Sequence, residues 1–332
     1  MCTAISLFTN SHYFGRNLDM EANSGAIVES MSIAISPRHF PFSFSTGQRT
    51  EDHYAIIGTA YVPDDMPLYY DAVNEHGLAA AGLAFPVSAY YPPQTEKASI
   101  APYEVIPYVL GTCRTCSQAK TLLQSLSIAD IPYTADLPNT PLHWIFSDGR
   151  ECLVAEPRRA GLMLYDAPVG VLSNEPPFPN QMDRLRDFRS LSQYPNSTPF
   201  SEAFSLHAYS RGMGAIGLPG DLSSASRFAR AAYARACSEV PSADNDPCTA
   251  TIAHLFRLLS FTAQPFGCVI TENGSYEYTV YTCCCDAAQG IYCYTTYQSP
   301  SVHSVRLSDY VLSSSRSTVI AVKDTAPHHS LL

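Results

Sequence analysis

The second residue of the chain is a cysteine, and an arginine and an aspartate, Arg16 and Asp19, follow one hairpin later. With Met1 removed, Cys2 carries a thiol and a free α-amine. An α-amine ordinarily titrates at about 7.7–8.0, so one residue supplies both a nucleophile and a base near neutral pH. Such a residue can attack an amide carbonyl, and its small side chain is of the kind that permits removal of an initiator methionine. The competing reading of Cys2 is a small apolar residue buried in a strand.

Residues 2–7 and 12–18 read as two strands joined by the polar turn Thr9-Asn10-Ser11, which returns Arg16 and Asp19 toward the N-terminus. A guanidinium favours the thiolate form of a nearby cysteine, and a carboxylate can hold and orient an ammonium group. Further along, residues 26–36 and 53–62 carry strand patterns. Leu68–Val73 and Leu78–Leu83 flank the hairpin turn Asn74-Glu75-His76-Gly77. Helices are expected over 101–111 and 115–127, covering one face of a sheet. Strands follow over 142–146, 152–156 and 162–165, then a helix over 179–190. The polar, proline-containing stretch to about residue 210 reads as an exposed excursion.

Gly212-Met213-Gly214-Ala215-Ile216-Gly217 fits a dinucleotide-binding fingerprint, but Pro219 and Gly220 deny it the helix that such a fingerprint needs. The helix instead starts at Ser223 or Ser224 and places Arg227 in its first turn, where the dipole disfavours a cation. A helix over 247–261 precedes strands at 268–271, 276–285 and 291–297, with Asn273-Gly274 as a hairpin turn, so that the sheet finishes near the C-terminus. Strands at both ends with helices between them give an α+β fold, and no composition break divides residues 1–332 into more than one domain.

Across 332 residues the formal charge is −10 with only 20 lysines and arginines, which argues against nucleic-acid binding. No apolar run is long enough to span a membrane, and no secretory pattern opens the chain, so a cytoplasmic protein is expected. Eleven cysteines are an odd number, and Cys283-Cys284-Cys285 alternate faces of one strand, so reduced thiols are expected. Neither Cys113-Arg114-Thr115-Cys116 nor the tail histidines His328 and His329 have the partners of a zinc site, and no metal or cofactor is implied.

Six stretches, in order, carry a family resemblance: Met1-Cys2-Thr3; Tyr13 through Asp19; Pro67 through Glu75; Gly170-Val171-Leu172-Ser173-Asn174; Arg211 through Asp221 with Ser226-Arg227-Phe228; and Tyr278 through Cys283. In these the chain resembles the choloylglycine hydrolases, which comprise bile salt hydrolases and penicillin V acylases. The resemblance implies a four-layer αββα sandwich of two antiparallel sheets covered by helices. It implies cleavage of the amide of glycine- or taurine-conjugated bile salts by Cys2, tuned and held by Arg16 and Asp19. Asn174 would donate to the oxyanion, and Arg227 would orient the site. It also implies an oligomer, a tetramer, built through the excursion at about 190–210. The residues themselves read as a polar tail at about 325–332.

One position departs from the family. After Ala81-Gly82-Leu83 the bile salt hydrolases usually carry Asn and the penicillin acylases often Tyr, whereas this chain has Ala84, which can offer only its backbone N–H. Penicillin V therefore stays open as an alternative substrate, and a catalytically weak binder of amphipathic ligands as a second alternative. Pocket loops at Met20–Ser24 and Tyr61–Met66 would discriminate between substrates. Arg211, beside the glycine-rich run, is expected to read the anionic end of the conjugate, with a lean toward taurine.

Overall fold

The computed structural model describes residues 1–24, 30–94, 99–195, 201–242 and 246–323. Two antiparallel sheets face each other. The first has seven strands. Its path runs Val171–Leu172, Cys2–Phe8, His12–Glu21, Tyr276–Asp286, Ile291–Thr296 and His303–Arg306, with Val269–Ile270 pairing onto Tyr276–Asp286. The second, of eight strands, runs Gly161–Asp166, Cys152–Arg158, Leu142–Ser147, Ala79–Ala84, Leu68–Asn74, Ile56–Tyr61, Met31–Ser36 and Thr318–Ala321.

Period-two alternation builds the layers. In the second sheet Ile33, Ile35, Ile57, Ala79, Ala81, Leu83, Ile145 and Val154 face the first sheet. Ala34, Ile56, Ala80, Trp144, Phe146, Leu153 and Ala155 face the other way, onto the helices Val105–Thr112 and Cys116–Ser125. Both faces are therefore apolar, as a sheet buried on two sides requires. The helices Ser224–Cys237 and Pro247–Ser260 cover the outer face of the first sheet. The order helix, sheet, sheet, helix is the αββα sandwich.

Most expected elements are present within a few residues. The first hairpin pairs Cys2 with Leu18 and Ala4 with Arg16 around the turn at 9–11. Ser223 is the N-cap of its helix and accepts from Ser226 N. The expected 179–190 helix is a short helix, Phe178–Arg184, followed by the 3-10 turn Leu185–Phe188. The glycine-rich run forms only the 3-10 turn Met213–Ala215. One expectation is corrected at the C-terminus: the strand expected over 291–297 is not the last. His303–Arg306 adds a further strand to the first sheet, and the chain then crosses to pair Thr318–Ala321 with Met31–Ser36 in the second. All eleven cysteines are free thiols. The start of the expected 26–36 strand, the centre of the 190–210 excursion and the tail with His328 and His329 lie outside the described residues.

Candidate active site

Cys2 opens the first strand and is 3% exposed. Paired strand residues share a face, so Cys2, Ala4, Arg16 and Leu18 point between the sheets, whereas Thr3, Asn17 and Asp19 point toward the helices. The two charges expected beside Cys2 therefore lie on opposite faces of the sheet. An odd spacing of three along a strand requires this.

Arg16 is fully buried on the inner face. Its Nε donates to Asn17 O at 3.2 Å, and its Nη1 donates to Tyr70 O at 3.1 Å and lies 3.8 Å from Asp71 Oδ2. Its Nη2 has no partner. Burial disfavours the charged guanidinium, but the acidic groups around it, Cys2, Tyr281, Asp71 and Cys283, outweigh that cost and drive its pKa upward.

On the outer face the Asp19 carboxylate accepts from Thr279 Oγ1 at 2.6 Å and from Gln264 Nε2 at 2.9 Å. It does not reach Cys2 directly. Arg227 links the two, with Nη1 3.8 Å from Asp19 Oδ2 and 2.6 Å from both Cys2 O and Thr3 Oγ1. Its Nη2 donates to Asn174 Oδ1 at 2.7 Å and its Nε to Leu222 O at 3.1 Å. Carbonyl and carboxylate oxygens thus compensate a cation placed in the first turn of its helix. Asp221, beside that turn, is held down to about 2 by hydrogen bonds from Ser223 and Ser226.

Asn174 follows the short strand Val171–Leu172, which pairs with Cys2–Phe8. Its Oδ1 accepts from Cys2 N at 2.8 Å, and its Nδ2 donates to Ala84 O at 2.8 Å. Two donors at one amide atom and a carbonyl at the other fix the orientation of the side chain. The second N–H of Nδ2 is not used by these bonds. Met1 is held by Glu277 Oε2 at 2.8 Å and Asp19 O at 3.2 Å.

Cys2 forms part of the wall of a cleft of about 330 Å³. Met20 and Ala84 line it, together with Tyr61, Tyr69, Tyr70, Tyr103, Tyr133, Leu142 and Trp144. Its charged lining is Asp19, Glu21 and Glu277, and no lysine or arginine among the described residues contributes. Arg211 lies on an exposed segment away from this lining. Sequence reasoning left Asp71, Thr279, Tyr281, Cys283 and Tyr292 without roles. Asp71 carried a signal as the sole charged side chain in the strand Leu68–Asn74, and Thr279, Tyr281 and Cys283 lie in the matching stretch Tyr278 through Cys283.

Residues 2–321 match the family described as linear amide C-N hydrolases, choloylglycine hydrolase family. The chain is 41% identical over 312 residues to a bile salt hydrolase/transferase of Lactiplantibacillus plantarum, covering 93% of each. It is 33% identical over 316 residues to the bile salt hydrolase/transferase of Clostridium perfringens, again covering 93% of each. A crystal structure of a mutant conjugated bile acid hydrolase from Clostridium perfringens superposes with a TM-score of 0.88 at 30% identity, covering 100% of both chains. Penicillin V acylase from Agrobacterium tumefaciens shares the fold, with a TM-score of 0.76 at 18% identity over 98% of this chain and 93% of that one. The chain belongs to the choloylglycine hydrolase family of linear amide C-N hydrolases.

Proposed function

We propose that this protein hydrolyses the amide bond of conjugated bile salts, with Cys2, freed of Met1, as nucleophile. The observation that carries this reading is the position of Cys2. It stands between a buried polar network and an apolar, tyrosine-rich cleft of about 330 Å³, a lining of the kind that suits a hydrocarbon skeleton. Relatives described as bile salt hydrolases support the substrate class.

Once Met1 is gone, the nitrogen now donating to Asn174 Oδ1 is the α-amine. It takes the thiol proton as sulfur attacks the amide carbonyl. The spare N–H of Asn174 and the backbone N–H of Ala84 receive the oxyanion. The amine then passes its proton to the departing nitrogen, which releases glycine or taurine and leaves a thioester on Cys2. Water, deprotonated by the same amine, cleaves the thioester and frees the bile acid. Arg16 supports the thiolate, and Arg227 with Asp19 holds Cys2 and Asn174 in register.

The cleft suits the uncharged skeleton. The Glu21 and Glu277 carboxylates disfavour the anionic end of the conjugate, which is directed outward, where Arg211 from this chain or a neighbouring copy would meet it. A homotetrameric assembly is supported by Phe204, Leu206 and Tyr209 on the excursion, which are 52%, 68% and 85% exposed in the single chain. The protein would act in the cytoplasm as one domain; no helix among the described residues is long and apolar enough to cross a membrane.

Side-by-side kcat/KM for taurocholate, glycocholate and penicillin V tests the assignment. The bile salts are expected to exceed penicillin V by at least tenfold. A preference for penicillin V reverses the substrate reading, and turnover of none leaves a binder of amphipathic ligands.

A further inference from the structure

The polar network behind Cys2 continues past Arg16. Asp71 lies in the strand Leu68–Asn74 and is 1% exposed, between the two sheets. Its Oδ2 accepts from Tyr281 Oη, and its Oδ1 accepts from Tyr292 Oη and from Cys283 Sγ, the sulfur at 3.2 Å. All three donors belong to the opposite sheet. Tyr292 Oη is itself paired with Thr59 Oγ1 at 2.7 Å. Burial pushes the Asp71 carboxyl up, and Arg16 with the three donors opposes that rise. A carboxylate with three donors is already satisfied, yet it also stands 3.8 Å from Arg16 Nη1.

What remains unsatisfied is on Arg16. Nε and Nη1 are committed to backbone carbonyls, whereas Nη2 is buried without a partner. Arg16 shares its face with Cys2, one diagonal step along the hairpin. A guanidinium loses most of its rotational freedom when two of its three nitrogens and a flanking carboxylate are fixed.

We infer that Asp71 is a positioning residue: clamped by Tyr281, Tyr292 and Cys283, it fixes the Arg16 guanidinium so that Nη2 stays free for the Cys2 thiol. The inference rests on the reading of Cys2 as nucleophile. It adds a second layer to the site, supplied by the sheet that does not carry the nucleophile.

The test compares the mature wild-type enzyme with Asp71→Asn and with the double variant Tyr281→Phe/Tyr292→Phe. Two quantities are read: kcat and KM on a conjugated bile salt, and the pH dependence of Cys2 alkylation by iodoacetamide, followed on the N-terminal peptide by mass spectrometry. For Asp71→Asn, kcat is expected to fall at least tenfold with KM within twofold, and the alkylation midpoint to move to higher pH as Arg16 loses its fixed position. The double variant keeps the carboxylate and loses its clamps, and is expected to shift the midpoint the same way by a smaller amount. A midpoint moving to lower pH would mean that Asp71 acts only by offsetting the Arg16 charge, and overturns the inference. An unmoved midpoint in a destabilised protein shows a sheet-bridging role only and overturns it too. If Asp71→Asn does not fold, the double variant decides on the same readouts. Wild-type enzyme that keeps full turnover after alkylation of Cys2 defeats the nucleophile assignment itself, whereas inactivation with unmoved midpoints in the variants defeats only the role given to Asp71.

Discussion

Two fully buried arginines flank the first strand, one on each face, and they are bonded differently. On the helix side Arg227 spends its nitrogens on Leu222 O, Cys2 O, Thr3 Oγ1 and Asn174 Oδ1. On the side between the sheets Arg16 has two backbone carbonyls, a carboxylate at 3.8 Å and one nitrogen with no partner. Burying a polar group without a partner costs free energy, so a saturated arginine and a deficient one imply different purposes. Arg227 holds parts of the site together. In the proposed reaction Arg16 keeps a donor in reserve for charge that develops on Cys2.

The sharpest separation comes from Cys2 itself, because Arg227 bonds its carbonyl and Arg16 faces its side chain. Cys2→Ala is expected to abolish turnover while leaving the melting temperature near wild type; residual activity above a tenth of wild type removes Cys2 as nucleophile. Next in size is Asn174→Ala, which frees Arg227 Nη2 and Ala84 O and, in the proposed reaction, removes an oxyanion donor. A loss of about 10²–10³ in kcat with little change in KM is expected, and an unchanged kcat would reduce Asn174 to a structural turn residue.

Exchanging each arginine for leucine then tests the comparison. Arg227→Leu strands several buried oxygens and the Asp19 carboxylate, so a drop of about 3–5 kcal/mol in stability is expected along with lost activity. Arg16→Leu leaves Asp71 with Tyr281, Tyr292 and Cys283, so activity is expected to fall at least tenfold with less than half that stability loss in chemical unfolding. Equal stability losses in the two variants would break the distinction. Arg211 is a third, exposed arginine. If it reads the conjugate, Arg211→Ala changes the taurocholate to glycocholate ratio of kcat/KM by more than twofold; a ratio unchanged within twofold assigns it to the oligomer or to solvent.

The smallest effect lies at the far end of the same hairpin, where His12 is buried with Nδ1 3.0 Å from Gly77 O and Nε2 3.0 Å from Ser147 Oγ. Burial pushes its pKa below the ordinary 6.5. The unfolded chain therefore takes up the proton first, and stability is expected to fall as pH drops from 6.5 toward the depressed folded value. His12→Gln should flatten that slope in urea unfolding measured from pH 7 to pH 5; an unchanged slope would assign it to other groups.

The hairpin, the alternating strands and the helix caps were legible because each depends on local pattern: Thr9-Asn10-Ser11 as a turn, Ile33 through Ile35 as alternation, Ser223 as a cap. Cys2, Arg16, Asp19, Asn174 and Arg227 could be read as a set; the structure links Cys2, Asp19, Asn174 and Arg227 through hydrogen bonds and one ion pair, and sets Arg16 on the opposite face of the sheet beside Asp71. The faces of Arg16 and Asp19 could also have been read from their spacing of three. The strands His303–Arg306 and Thr318–Ala321 were not legible, since both are four residues long with alternately exposed side chains and gain order only from distant partners. The Asp71 cluster was hidden for the same reason. Its members are about 210 positions apart in sequence and meet only when the two sheets close on each other.

The most direct test of the account is to trap the covalent intermediate. The purified enzyme is mixed with glycocholate, quenched in acid within its first turnovers, and its N-terminal peptide is analysed by mass spectrometry. The account predicts a peptide that begins at Cys2 and carries a cholyl group on its sulfur. Cholyl attached elsewhere, or full turnover by enzyme that still begins at Met1, would contradict it.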